Sequence, residues 1–231
     1  MPGTGQESRS VTRPPAPSVI VMTSTTSSTS SVSLSLVVLE TSDPEASGRV
    51  VAALGVGDRI RVRASSTPAD GFRGFSLSLL VSQPASVDLL LGEALAAGAR
   101  ELKPAARSLW GYGGVVEGPD GTIWKVATSA KKNRGPATKH VDDLVLLLGV
   151  EDVVASKRCY AEHGFTVGKS FGRSYAEFET PAGSVKLALY RRRALAKDVG
   201  VSAESSGPHR LVLGGAGSFV DPDGFTWDPA A

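Results

Sequence analysis

The chain has 231 residues, 41% of them hydrophobic and 21% charged, with a formal net charge of +2. That balance suits a globular protein and carries no basic excess that would draw nucleic acid or a membrane surface as a partner. The single cysteine, Cys159, leaves no internal disulfide and points to a reducing cytoplasm, and no apolar run reaches the roughly 18–20 residues of a bilayer span.

Residues 1–32 carry Pro14-Pro15 and a Ser/Thr-rich stretch from Thr23 onward, with few side chains able to form a core. They read as a disordered tail in which Met22 is an alternative start. Ser33 to Leu39 alternates serine and leucine before Val-Val-Leu, the pattern of a strand with one buried face. Asp43 follows as an N-cap with Pro44 at the first helical position. Ala46, Val50, Ala53 and Leu54 then make a helical stripe that Gly55 ends. Arg59 to Arg63 alternates arginine with Ile60 and Val62, a strand with its arginines outward.

Phe75 to Val81 predicts a strand leading to an amphipathic helix, whose Val87, Leu90, Leu91, Ala94 and Leu95 fall at i, i+3, i+4, i+7 and i+8. Trp110 to Trp124 holds a glycine-rich strand and a Pro119-Asp120-Gly121 turn, and Ala130 to Thr138 reads as a linker. Leu144 to Val150 predicts a strand, Asp152 caps a helix through Glu162, Gly164 stops it, and Phe165 to Phe171 is a strand again. Tyr175 to Glu179 and Val185 to Tyr190 form a strand pair turned by Pro181-Ala182-Gly183. Ala194 to Ser206 reads as a polar link before a strand from His209 to Leu213.

The two halves repeat. Asp43, Ala46-Ser47 and Gly55 recur as Asp152, Ala155-Ser156 and Gly164 at an offset of 109, and Pro119, Asp120, Gly121 and Trp124 recur as Pro222, Asp223, Gly224 and Trp227 at 103. Repetition on this scale sets the architecture ahead of any single motif. It divides the chain into domains at 33–128 and 140–231, joined by a linker at 129–139.

Strand–helix–strands units closed by a Pro-Asp-Gly hairpin and an aromatic strand resemble the vicinal oxygen chelate superfamily, which includes glyoxalase I, bleomycin-resistance proteins, fosfomycin-resistance enzymes and extradiol dioxygenases. The resemblance is carried by Trp110 to Gly114, Gly118 to Trp124, Ala155 to Tyr160 and Asp221 to Trp227, and covers about residues 33–231. It implies an α+β, glyoxalase/bleomycin-resistance-like fold: paired βαβββ modules curled into open, cup-shaped sheets, in two tandem domains. The first half lacks the last two strands of its opening module, and the second lacks the helix and following strand of its closing one. Residues 75–128 and 143–190 are then the complete modules and are expected to build the better cup.

The superfamily's enzymes usually hold a divalent metal among His, Gln or Glu side chains on the first and last strands of their modules, donors that suit Zn, Ni, Mn or Fe. Here the matching positions hold Leu36, Ser76, Val145 and Lys125, which cannot serve, and His209 and Asp228, which can. The resemblance therefore implies a cup that binds a small organic molecule without a complete metal site or other cofactor. A metal-dependent lyase or dioxygenase using His209 and Asp228 is the alternative. Aromatic walls with a few polar groups make the usual small-molecule site, so Trp110, Tyr112, Tyr175, Glu177 and Lys186 are the candidate ligand-binding residues. Family members often pair modules between chains, which leaves a homodimer open. There is no G-x-S-x-G elbow, Walker loop or C-x-x-C, so hydrolase, nucleotide and zinc-ribbon readings have no support. Asp120 and Asp223 read as turn residues, Cys159 as helix packing, and Arg191 to Arg193 as a solvated strand end.

Overall fold

A computed structural model describes residues 32–109 and 111–229. The tail expectation, apart from Val32, and the candidate Trp110 fall outside the described residues. The chain opens with β1 (Leu36–Thr41), α1 (Pro44–Ala53), β2 (Ile60–Ala64) and the short β3 (Asp70–Gly71). The first complete module follows: β4 (Phe75–Leu80), α2 (Pro84–Ala96), β5 (Arg100–Ser108), β6 (Gly111–Glu117) and β7 (Ile123–Thr128). The second comprises β8 (Asp143–Val150), α3 (Val153–Glu162), β9 (Val167–Phe171), β10 (Tyr175–Phe178) and β11 (Lys186–Arg191). Then come α4 (Arg192–Val199), β12 (Ser205–Ser206), β13 (Leu211–Gly214), β14 (Phe219–Val220) and β15 (Thr226–Trp227).

The expected caps form: Asp43 accepts from the Ala46 amide at 2.9 Å, and Asp152 from the Val154 amide at 2.9 Å. Each satisfies an amide that the first helical turn leaves without a partner. The two complete modules share one open eight-stranded sheet, β5-β6-β7-β4-β8-β11-β10-β9, with β4 and β8 antiparallel at its centre. The incomplete pieces join in a five-stranded sheet, β14-β15-β13-β1-β2. Each sheet thus draws strands from both halves of the sequence.

Alternation along the strands decides what each face does. Phe75, Leu77 and Leu79 of β4 and Leu144, Leu146 and Leu148 of β8 enter one core with Val87, Leu90, Leu91 and Ala94 of α2. Burying each such side chain contributes about 1.5–3 kcal/mol. Leu95, the last residue of the predicted stripe, is 38% exposed, because eight residues at about 100° each carry it about 80° round the helix from Val87.

The segment 129–139 is tied to the start of α2 at several points: Asn133 accepts from the Ala85 amide, Ser86 accepts from the Thr138 amide, and Gln83 makes the most contacts. Gln83 accepts from the Arg134 and Gly135 amides and donates to the Gly135 and Pro136 carbonyls. Gln83→Ala should cost only about 1 kcal/mol, since the freed groups can meet water. Amide exchange at Arg134 and Gly135 should speed up measurably; unchanged exchange there would contradict the tie.

The polar link expected at 194–206 begins instead as α4. Leu195, Ala196 and Val199 bury one side of this helix, and Gly200, at φ 88°, ends it. The helix lies on the sheet face that α2 and α3 leave uncovered, packing with Phe72, Val115 and Ile123. Gly149 of β8 permits the approach: a Cβ there would meet the Gly74 carbonyl at 2.9 Å and Leu195 Cδ2 at 3.3 Å.

Candidate ligand-binding site

The uncovered face of the eight-stranded sheet displays the residues that alternate with the core set. Leu147, Ala188, Glu177 and Lys169 form one cross-strand row, and Tyr190, Tyr175 and Phe171 the next. α4 crosses this face and leaves a cavity on either side. The larger, about 570 Å³, is walled by Phe171, Tyr175 and Tyr190, floored by Leu147, and bordered by Lys169, Glu177, Lys125 and the α4 residues Leu195 and Asp198. Its rings are neighbours, with centroids 6.0 Å apart for Phe171 and Tyr175 and 6.2 Å for Tyr175 and Tyr190. The Tyr175 hydroxyl donates to Glu177 Oε2 at 2.9 Å. Burial, and then that bond, hold the phenol well above its ordinary pKa, so it stays a neutral donor.

The smaller cavity, about 370 Å³, lies over β5, β6 and β7, and its border includes Lys103, Arg107, Ser108, Val115 and Ala127. Lys125 and Asp198 border both cavities, and their charged groups pair at 2.7 Å. Lys103 donates to the carbonyls of Lys197 and Asp198 and so holds the C-terminal end of α4 in place.

Of the candidates taken from the sequence, Tyr175 and Glu177 line the larger cavity. Lys186 shares their face, but its ammonium pairs with Asp143 at 2.8 Å, away from the cavity. Tyr112 borders the smaller cavity while turning its hydroxyl to Asp88 of α2 at 2.7 Å. The cause is strand parity: Tyr112 falls in step with Gly114, whose position abuts Leu91 of α2, and with the core residue Val116. Tyr190 and Phe171 complete the wall. Tyr190 stands four residues from Lys186 on the same strand, and that even spacing placed it on the cup face.

His209 and Asp228 are not brought together as a metal site. β13 and β15 run parallel with Val212 beside Thr226 and Leu213 beside Trp227. His209 precedes β13 and turns toward the second hairpin, whereas Asp228 follows β15 and its amide donates to the Leu213 carbonyl. The His209 ring stacks on Phe225, with Nδ1 2.5 Å from the Arg73 carbonyl and Nε2 2.9 Å from the Asp223 carbonyl. Both ring nitrogens are turned to backbone carbonyls, so neither points to an open metal position. Among the described residues, no three His, Cys, Asp or Glu side chains gather as a ligand set.

The hairpin aspartates do more than shape turns. Asp120 pairs with the buried Arg73. Asp223 accepts from the Glu151 amide and the Ser156 hydroxyl, both at 2.7 Å, and so fixes the start of α3. Arg192 likewise is no solvated charge: it donates to the Phe72 carbonyl at 2.7 Å and to Ser205 Oγ at 2.6 Å. Cys159 is only partly buried, and burial raises its thiol pKa, which suits packing better than nucleophilic attack.

No protein-family model matches the sequence, and no curated protein matches it. Solved structures do match in fold. Glyoxalase I from Zea mays aligns with a TM-score of 0.56 at 12% identity, over 85% of this chain and 91% of that one. Two single-substitution variants of the maize enzyme, also 12% identical, give 0.53 and 0.52 over the same 85% of this chain and 91% and 92% of theirs. The fold is therefore the α+β, paired-module fold of glyoxalase I, matched over most of the chain. Among the described residues no helix is long and apolar enough to cross a membrane.

Proposed function

We propose that the protein binds a small organic molecule in the larger cavity, without a complete metal site. The observation that carries this is the cavity itself: about 570 Å³, three aromatic side chains on its wall, and a few charged groups at its border. Small-molecule sites typically enclose about 300–1,000 Å³ with this mixture of apolar wall and sparse polar groups. Such a cup needs only shape and stacking surface to sequester its ligand, and no reaction step.

The test is a screen of aromatic small molecules by thermal shift, followed by titration of the best stabiliser. Tyr190→Ala should weaken that compound about tenfold, the size expected when a ring contact worth about 1.4 kcal/mol is lost. Phe171 is 67% exposed, so Phe171→Ala should leave the fold intact while also reducing affinity. Affinity unchanged in both variants would move the site elsewhere.

A further inference from the structure

Building on that ligand-binding reading, we propose that Lys125 is the anion-recognition residue of the cup, that Asp198 stands in for the ligand's anionic group, and that the ligand is an aromatic anion. Lys125 is the charged group common to β7 and both cavities, and it reaches Asp198 across the face. The two side chains are 31% and 43% exposed. An ion pair that open contributes little to folding and exchanges readily for another partner. Asp198 also sits in the last turn of α4, where the helix dipole disfavours negative charge. Its position serves the lysine better than it serves the helix.

The strand next to Lys125 supplies an independent observation. Ser78 lies next to Lys125 in the β4–β7 ladder. Its hydroxyl is buried without a protein partner, as is that of Ser76 two residues back. Buried polar groups are normally paired, so two unused hydroxyls on the strand beside Lys125, on its face of the sheet, leave that strand short of polar partners. The charge balance points the same way. Lys103, Arg107, Lys125 and Lys169 border the two cavities against Asp198 and Glu177, and Glu177 already accepts from Tyr175. A carboxylate or sulfonate that displaces Asp198 from Lys125 gains the ammonium, while its ring lies along Tyr190, Tyr175 and Phe171.

The probes are 2-naphthoate and its neutral isostere 2-naphthamide, titrated calorimetrically into the full chain and into Lys125→Met and Asp198→Asn. Naphthoate should bind the unmodified protein more tightly than naphthamide. The ratio of the two affinities should fall about tenfold in Lys125→Met, the scale of one charge-assisted hydrogen bond. In Asp198→Asn the ratio should rise, because the competing carboxylate is gone. A ratio that stays constant across the three proteins overturns the assignment to Lys125 while leaving an aromatic cup in place. If neither probe binds any of them, the cup reading and the anion assignment fall together.

Discussion

Replacing Arg73 with methionine should destabilise the protein by about 3–5 kcal/mol, seen as a lower urea midpoint with an unchanged slope. Arg73 stands just before β4, and its side chain and that of Asp120 are 4% and 2% exposed. Its Nε donates to the His209 carbonyl at 2.9 Å, Nη2 to the Arg210 carbonyl at 2.7 Å, and Nη1 to the Asp120 carbonyl at 2.8 Å. Burial lowers the guanidinium pKa and the Asp120 carboxylate opposes that shift, so the group remains charged at working pH. Methionine fills much of the volume but leaves a buried carboxylate and three carbonyls without this donor. The loss would be a large share of a typical total of about 5–15 kcal/mol. Adding Asp120→Asn to Arg73→Met should recover part of it, because the stranded charge disappears. No recovery would show that the carbonyl contacts, and not the ion pair, dominate.

Arg73 also illustrates what was legible in the sequence. The Pro-Asp-Gly repeat announced two related hairpins, and local chemistry then fixed their flanking strands and helices: Asp43 and Asp152 as caps, the Ser/Leu alternation leading from Ser33 into β1, and the stripe on α2. The pairing of the complete modules in one sheet followed from which halves lacked strands. What the repeat could not reveal is divergence after duplication. Asp120 binds an arginine 47 residues upstream, whereas Asp223 binds the start of α3. Those partners depend on how the sheets meet and leave no periodic trace.

The site was legible to the same depth. Tyr175, Glu177 and Lys186 share one face of the β10–β11 pair. Which of them borders a cavity depends on α4, whose eight residues include four charged side chains and so read as solvent-exposed link. Once α4 is in place, Tyr190 and Phe171 join the wall and Lys186 falls outside it. Tyr112 borders the smaller cavity but turns its hydroxyl to α2, and its strand parity goes with the close approach of α2 at Gly114, a contact that leaves no trace in the local sequence. His209 came from its place at the start of a strand and Asp228 from its place after Trp227; the histidine ring is instead held against Phe225 and two backbone carbonyls.

The second hairpin yields the other large effect. Tyr160→Phe should cost about 2–3 kcal/mol although it removes one oxygen atom, because it strands two buried polar groups at once. The Tyr160 hydroxyl donates to Asp221 Oδ2 at 2.9 Å and accepts from Trp227 Nε1 at 3.3 Å. Around it pack Phe165, Phe178, Phe219 and Trp227, so a new water has little room to substitute. The effect should also depend on pH. Burial pushes the Asp221 carboxyl above its usual range, against the Phe225 amide and the Tyr160 hydroxyl, which favour the charged form. An acid with a raised folded pKa contributes stability that is full below its unfolded value and is lost as pH rises through the folded value. Removing the hydroxyl raises that folded value further, so the penalty of Tyr160→Phe should be larger at about pH 7 than at about pH 4, where Asp221 is closer to neutral. Urea titrations of both proteins at the two pH values measure this difference directly. A penalty that is equal, or larger in acid, would mean that the lost Trp227 contact outweighs the stranded carboxylate. The first hairpin offers the internal contrast: Gly118 stands where the repeat places Asp221, so no carboxylate at that position charges Trp124's hairpin, and the burden of holding it falls on Arg73 and Asp120.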